Sequence, residues 1–135
     1  MQNHILTNWQ SAELGTILEL LIDHRGITPK KLGGSWSLTG IPALSAKNIK
    51  EGKITNKKDI RYVSEKLYNR WMPIKLEADD ILLTSEAPLG ELYLLKEEKD
   101  YVLSQRLFGL RANKTIIDPK YLYYFLSGPI GQKEL

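Results

Sequence analysis

Two apolar runs on either side of a short proline–glycine turn limit the fold more than any other feature. Asp80-Ile81-Leu82-Leu83-Thr84-Ser85 and Glu91-Leu92-Tyr93-Leu94-Leu95 flank Ala87-Pro88-Leu89-Gly90. Proline at the second turn position presets φ, and glycine at the fourth suits a type I turn, so the spacing predicts a β-hairpin. Arg106–Arg111 reads as a further strand after the polar corner Ser104-Gln105. Ile41–Ser45 reads as a short strand with its proline near the start, where a missing N–H matters least. Leu14–Ile22 is apolar and too short for periodicity to separate helix from buried strand. Ser64 is an N-cap for a short helix over Glu65–Trp71 that Pro73 stops, and Asp118-Pro119 opens a helix over Lys120–Ser127. Gly128 is expected as its left-handed cap. Residues 129–135 read as the opening of another helix. The expected fold is a single α+β domain over 1–135: a small, mostly antiparallel twisted sheet with long ligand-facing loops and peripheral helices.

The composition closes off several chemistries. The chain has no cysteine, which removes thiolate zinc sites, disulfides and a cysteine nucleophile. Only His4 and His24 remain for a histidine-based metal site. No HExxH, P-loop or GxSxG motif is present. Asp79-Asp80 precede a strand, where neighbouring side chains point to opposite faces, so they make a poor acid–base pair. The chain is therefore read as no enzyme. The N-terminus has no signal-peptide pattern, and no run approaches the roughly 18 apolar residues of a membrane span, so a cytoplasmic protein with no membrane partner is expected.

Charge is unevenly placed. The net charge is +3, yet residues 47–75 carry nine basic and three acidic side chains, while residues 76–100 carry eight acidic and two basic ones. A concentrated basic segment suits a polyanion, because each neutralised phosphate releases counterions. A solvated lysine-rich loop would carry the same signature. Lys30, Lys31, Lys47, Lys50, Lys53, Lys57, Lys58 and Arg61 are the candidate phosphate contacts. Base edges are read by Arg or Lys on guanine, Asn or Gln on adenine, and acids on cytosine. Asn48, Glu86, Gln105 and Arg106 lie at turns or strand ends and fit that class, as turn or cap residues would too. Ser35 and Trp36, in the Gly/Ser-rich loop Lys30–Gly40, are further base-readout candidates, with Trp36 either pinning the loop or making a surface contact. Trp71 reads as a packing anchor. Tyr121, Leu122, Phe125 and Leu126 form a helical stripe expected in the core.

In order, LGTILELLIDHRGITP, GIPALSAKNIKEGKI, YVSEKLYNRW, DDILLTSEAPLGELYLL, LSQRLFGLR and PKYLYYFLSG resemble a target recognition domain of the specificity subunit of Type I restriction–modification systems, over residues 9–135. The glycine usual before the hairpin's aspartate is here Asp79. The resemblance implies a non-catalytic, DNA-binding reader of one half of a bipartite duplex target, serving DNA modification and restriction. It implies methyltransferase (modification) subunits as partners and, through them, restriction/translocase subunits. It implies no cofactor in this chain, with S-adenosylmethionine held by the methyltransferase. Residues 129–135 would then start a truncated spacer helix, and a homodimer of half-subunits would supply the second recognition domain. A protein-interaction or regulatory module that does not bind DNA is the alternative, and a binder of RNA or single strands is another.

Overall fold

In the computed structural model, which describes residues 15–86, 89–128 and 132, the hairpin forms as its sequence predicts. β6 (Ile81–Thr84) and β7 (Leu92–Leu94) pair antiparallel, with Ile81 opposite Leu94 and Leu83 opposite Leu92. Residues 87 and 88, the first two of the expected turn, lie outside the described residues, so the turn type is not described. β9 (Leu107–Ala112) pairs antiparallel with the other edge of β6, and β1 (Leu18–Asp23) pairs antiparallel with β9. The strand order is β1-β9-β6-β7. The ambiguous apolar run near the N-terminus is thus a strand from Leu18 onward.

Pleating sends alternate residues of this sheet to opposite faces. Ile81, Leu83, Leu92, Leu94, Phe108 and Leu110 pack with Leu122 and Leu126 of α2 (Pro119–Ser127). Ile22, Leu82 and Leu107 belong to a second core on the other face. With both faces covered, every residue of β6 and β9 is buried. That is why these runs are apolar at successive positions rather than alternating.

The second core is closed by a three-stranded sheet in the order β5-β2-β8. β2 (Ile41–Leu44) pairs antiparallel with β5 (Arg61–Val63) and parallel with β8 (Val102–Leu103), the one departure from the antiparallel pattern among the described strands. α1 (Glu65–Trp71) seals this layer with Leu67, Tyr68 and Trp71, and Ser64 Oγ accepts from Leu67 N at 3.2 Å as its N-cap. Trp71 is an anchor, 1% exposed, its indole donating to Leu103 O at 3.1 Å. Gly40, at φ 128°, lets the chain pass over β5, where an added Cβ would lie 2.2 Å from Val63 O. A small hairpin of β3 (Ile49–Lys50) and β4 (Lys53–Ile54) completes the sheets.

Several expectations change. Asp118 caps α2 by accepting from Lys120 N at 2.8 Å, but Gly128 is extended (φ −82°, ψ 174°), not left-handed. The expected aromatic core stripe is only half buried: Leu122 and Leu126 face the sheet, while Tyr121 is 64% and Phe125 39% exposed. A helix lying on one side of a sheet buries a single i, i+4 row, and the leucines occupy it. β3, β4, β5 and β8 are two or three residues long, too short to leave a periodic signal. Of residues 129–135 only Gln132 is described, and its amide donates to Gly90 O at 2.9 Å and Leu126 O at 2.7 Å.

One polar contact spans the sheet. Arg111 is buried in β9, where its Nε and Nη2 donate to Asp80 Oδ1 and Oδ2 at 3.0 and 2.9 Å. Nη2 also donates to Lys75 O at 2.8 Å, and Nη1 lies 3.3 Å from Glu77. Asp80, 1% exposed, accepts in addition from Glu77 N at 2.8 Å. The turn that aims it requires φ 74° at Asp79, the position where glycine is usual in the resemblance above. Removing one partner leaves an unmatched buried charge, so Arg111→Ala or Asp80→Ala is expected to lower unfolding free energy by about 3–5 kcal/mol. In urea titrations, Asp80→Leu combined with Arg111→Met should lose clearly less than the two alanine variants summed.

Candidate nucleic-acid interface

Three turns that the sequence separates by up to about sixty residues meet at one end of the sheets, and backbone hydrogen bonds lace them together. Ala46 N donates to Gln105 O at 3.0 Å, Ser85 N to Arg106 O at 2.9 Å, and Ser104 N to Leu44 O at 2.8 Å. Ser104 Oγ adds a bond to Leu44 O at 2.7 Å. The turns are therefore held by main chain, and the side chains at their tips are left free to point outward.

Two adjoining depressions lie over these turns. One is lined by Thr28, Trp36, Ser45, Lys47, Arg61 and Gln105 among others. The other, of about 390 Å³, is lined by Asp23, Arg25, Gly26, Glu86, Gln105 and Arg106. Gln105 belongs to both, which makes them one surface. Three of the sequence candidates, Glu86, Gln105 and Arg106, line the second depression, and Trp36 and Asn48 line the first with Gln105. Arg106 is in the left-handed region at φ 60°, which costs a non-glycine residue about 1 kcal/mol and projects its guanidinium from the turn. Its Nε is 3.9 Å from Glu86, with both side chains more than half exposed, so the pair contributes little to stability.

Arg25 was not singled out by the sequence. Its guanidinium lies 4.0 Å above the Phe108 ring and donates to Asp23 Oδ1 and Oδ2 at 2.8 Å each. The hydrogen bond from Arg25 holds the Asp23 carboxyl below its ordinary range and raises the Arg25 pKa in turn. The only available signal was an acid–base pair two residues apart, just before Gly26 at a strand end, and that pattern has no long-range content.

The remaining candidates divide. Trp36 is half-buried against Trp71, with centroids 6.1 Å apart, and the Arg61 guanidinium lies 4.2 Å above its ring. It pins the Gly/Ser loop and forms the floor of the surface. Ser35 is exposed in the same loop. Asn48 lines the first depression with its amide already engaged. It is 1% exposed, accepts from Ser45 N at 3.0 Å and donates to Thr55 O at 3.0 Å, so its amide is consumed in bracing the β3–β4 segment. Lys30 is exposed, and Lys31 donates its ammonium to Gly26 O at 2.8 Å.

The basic segment does not form one surface. Ala43 and Arg61 are cross-strand partners lining the depression above, while their neighbours Pro42 and Tyr62, also partners, line a separate cavity that includes Lys53 and Lys57. Strand pleating places those two sites on opposite faces of the β5–β2 pair. Lys47 and Arg61 go with the turns. Lys50 pairs across the small hairpin with Lys53, and Lys58 is exposed beside Lys57. Arg70 donates to Leu32 O at 3.0 Å and Lys75 lies over the Tyr68 ring, so both serve packing.

Residues 7–134 match the family model of the Type I restriction modification DNA specificity domain. No curated protein matches the chain.

Denaturant unfolding separates the two kinds of turn residue. Arg106→Gly relieves a left-handed backbone and is expected to leave stability unchanged or raise it by up to about 1 kcal/mol. Asn48→Ala strands buried partners and should cost about 1–3 kcal/mol.

Proposed function

We propose that this chain, which belongs to the Type I restriction modification DNA specificity domain family, reads a short duplex DNA sequence through the laced turns. The observation that carries this reading is the joint surface of Glu86, Gln105 and Arg106 flanked by Arg25, Lys47 and Arg61. Its chemistry matches a major-groove edge. An arginine fork suits guanine O6 and N7, glutamine suits adenine, and a carboxylate accepts from the cytosine amine. The cations beside them suit phosphates, which set register and affinity while carrying little sequence information. Holding the turns by main-chain bonds keeps these side chains in place without spending them on the fold.

In this reading the chain performs no chemistry. It positions a target for methyltransferase subunits, which hold S-adenosylmethionine, and through them for restriction/translocase subunits. One domain reads one half of a bipartite site, and a second domain, in the same subunit or in a second copy, reads the other. Binding by one domain alone lacks the gain in effective concentration that linkage supplies. Among the described residues no helix is long and apolar enough to cross a membrane.

Duplex-binding assays across a salt series test the division of labour. Lys47→Ala is expected to weaken every duplex alike and to reduce the salt slope by about one unit. Arg106→Ala should relax discrimination at one base pair by about 1–3 kcal/mol and leave the other positions unchanged. Equal losses from both variants on all sequences would refute the assignment, and salt-independent or absent duplex binding would favour the regulatory-module alternative.

A further inference from the structure

Behind the reading surface, on the other face of the β5–β2 pair, lies a cavity of about 800 Å³ where the β3–β4 hairpin, the segment after β7 and α2 come together. Four ammonium groups line it: Lys53 and Lys57 from the hairpin side, Lys96 and Lys99 from the segment after β7. Among the described residues none of the four has a carboxylate within 4.0 Å. Glu51 is the one carboxylate residue in the lining, against the four lysines, and tyrosines supply most of the rest. Tyr62 and Tyr93 come from strands, Tyr101 precedes β8, and Tyr123 and Tyr124 come from α2 with ring centroids 5.4 Å apart. Tyr124 is 68% exposed and meets Tyr123 edge to face, which leaves its own ring open to a ligand. The hairpin approaches α2 closely at Gly52, where φ is 73° and an added Cβ would sit 2.9 Å from Tyr123 Oη.

We infer that this cavity is a binding site for a nucleotide with an unpaired base, its phosphate taken by the lysines and its base stacked on the tyrosine rings. The combination selects the ligand class. An acidic peptide would use the ammonium groups and leave the rings idle. A duplex backbone would do the same, because its bases are already stacked inside the helix. A nucleotide whose base is free uses both, as single-strand binding grooves do with basic side chains and aromatic platforms. The phenols of Tyr93 and Tyr123 keep their protons, since burial raises both pKa values, so they add no negative charge to the site. The free-nucleotide pool and an unpaired segment of a nucleic-acid strand both present this chemistry. The site shares no lining residue with the depressions over the turns.

The test uses the full chain and two fluorescent probes: 2-aminopurine 5′-monophosphate, and a single-stranded DNA hexanucleotide with a central 2-aminopurine. Stacking on tyrosine should quench either probe in a saturable way. Tyr124→Ala is expected to weaken binding by about tenfold, in the range a lost base–aromatic stack produces. Lys57→Ala should weaken it and lower the salt slope by about one unit, with Lys57→Arg restoring the slope. Both side chains are exposed, so an unchanged melting temperature verifies that each variant folds. Quenching of the monophosphate assigns the free nucleotide as sufficient, and quenching of the hexanucleotide alone assigns a strand; either supports the site. The site is overturned if neither probe saturates, if Tyr124→Ala leaves affinity unchanged, or if polyglutamate displaces the probes as well as unlabelled nucleotide does. Arg106→Ala serves as the control, expected to alter duplex reading and leave probe affinity unchanged, so the two assignments fail independently.

Discussion

The molecule depends on a central pair of strands, β6 and β9, that is covered on both faces. α2 lies on one face and the β5-β2-β8 layer with α1 on the other, so neither strand has a solvent side on which to place a polar residue without a partner. Thr84 meets this rule by accepting from Glu91 N, and Arg111, the charged case, shows how strict it is. A guanidinium in that layer requires a carboxylate with matching fork geometry, and Asp80 provides it together with a carbonyl from Lys75. The left-handed backbone at Asp79 is accepted because it aims that carboxylate. What looks in the sequence like a pair of adjacent acids is a division of labour: Asp79 makes the turn and lies 3.6 Å from Lys114, while Asp80 enters the core.

The same pleat that sorts apolar residues between two cores sorts charge between two surfaces. Along β5 the chain delivers Arg61 to one side and Tyr62 to the other, and β2 does likewise with Ala43 and Pro42. A basic segment that is continuous in sequence thereby becomes two sites of different character. The one over the turns has arginine, glutamine and glutamate around a tryptophan floor. The one behind has lysines and tyrosines with a single glutamate, Glu51. Counting charge along the chain merges them, because linear density carries no information about the side of a sheet.

In the proposed reading, separation of scaffold from readout gives the turns their functional logic. The backbone bonds that hold them run through Gln105 O, Arg106 O and Leu44 O, which any residue could supply, whereas Glu86 and Arg106 add only an exposed ion pair at 3.9 Å. Such an arrangement lets the outward groups change without disturbing the fold. Asn48 marks the opposite case. It has the right functional group for a base edge, but its amide is spent on Ser45 and Thr55 inside the β3–β4 segment.

Much of the framework was legible in the residues alone. Two apolar runs a few residues apart marked the hairpin, Ser64 and Asp118 marked two helix starts, and the family likeness rested on ordered segments. These are local signals, in which a residue's own backbone preference acts within a few positions. The short strands β3, β4, β5 and β8 escaped because two or three residues cannot display a period, and their pairing energy comes from partners far along the chain. Glycine at the end of α2 was a misleading cue, since the chain leaves that helix in an extended conformation. The Asp80–Arg111 pair, the convergence of three turns and the partition of the lysines were decided by tertiary structure. Each depends on which residues lie across a sheet or on which of its faces they fall, and sequence order does not encode either until the strands have found their register.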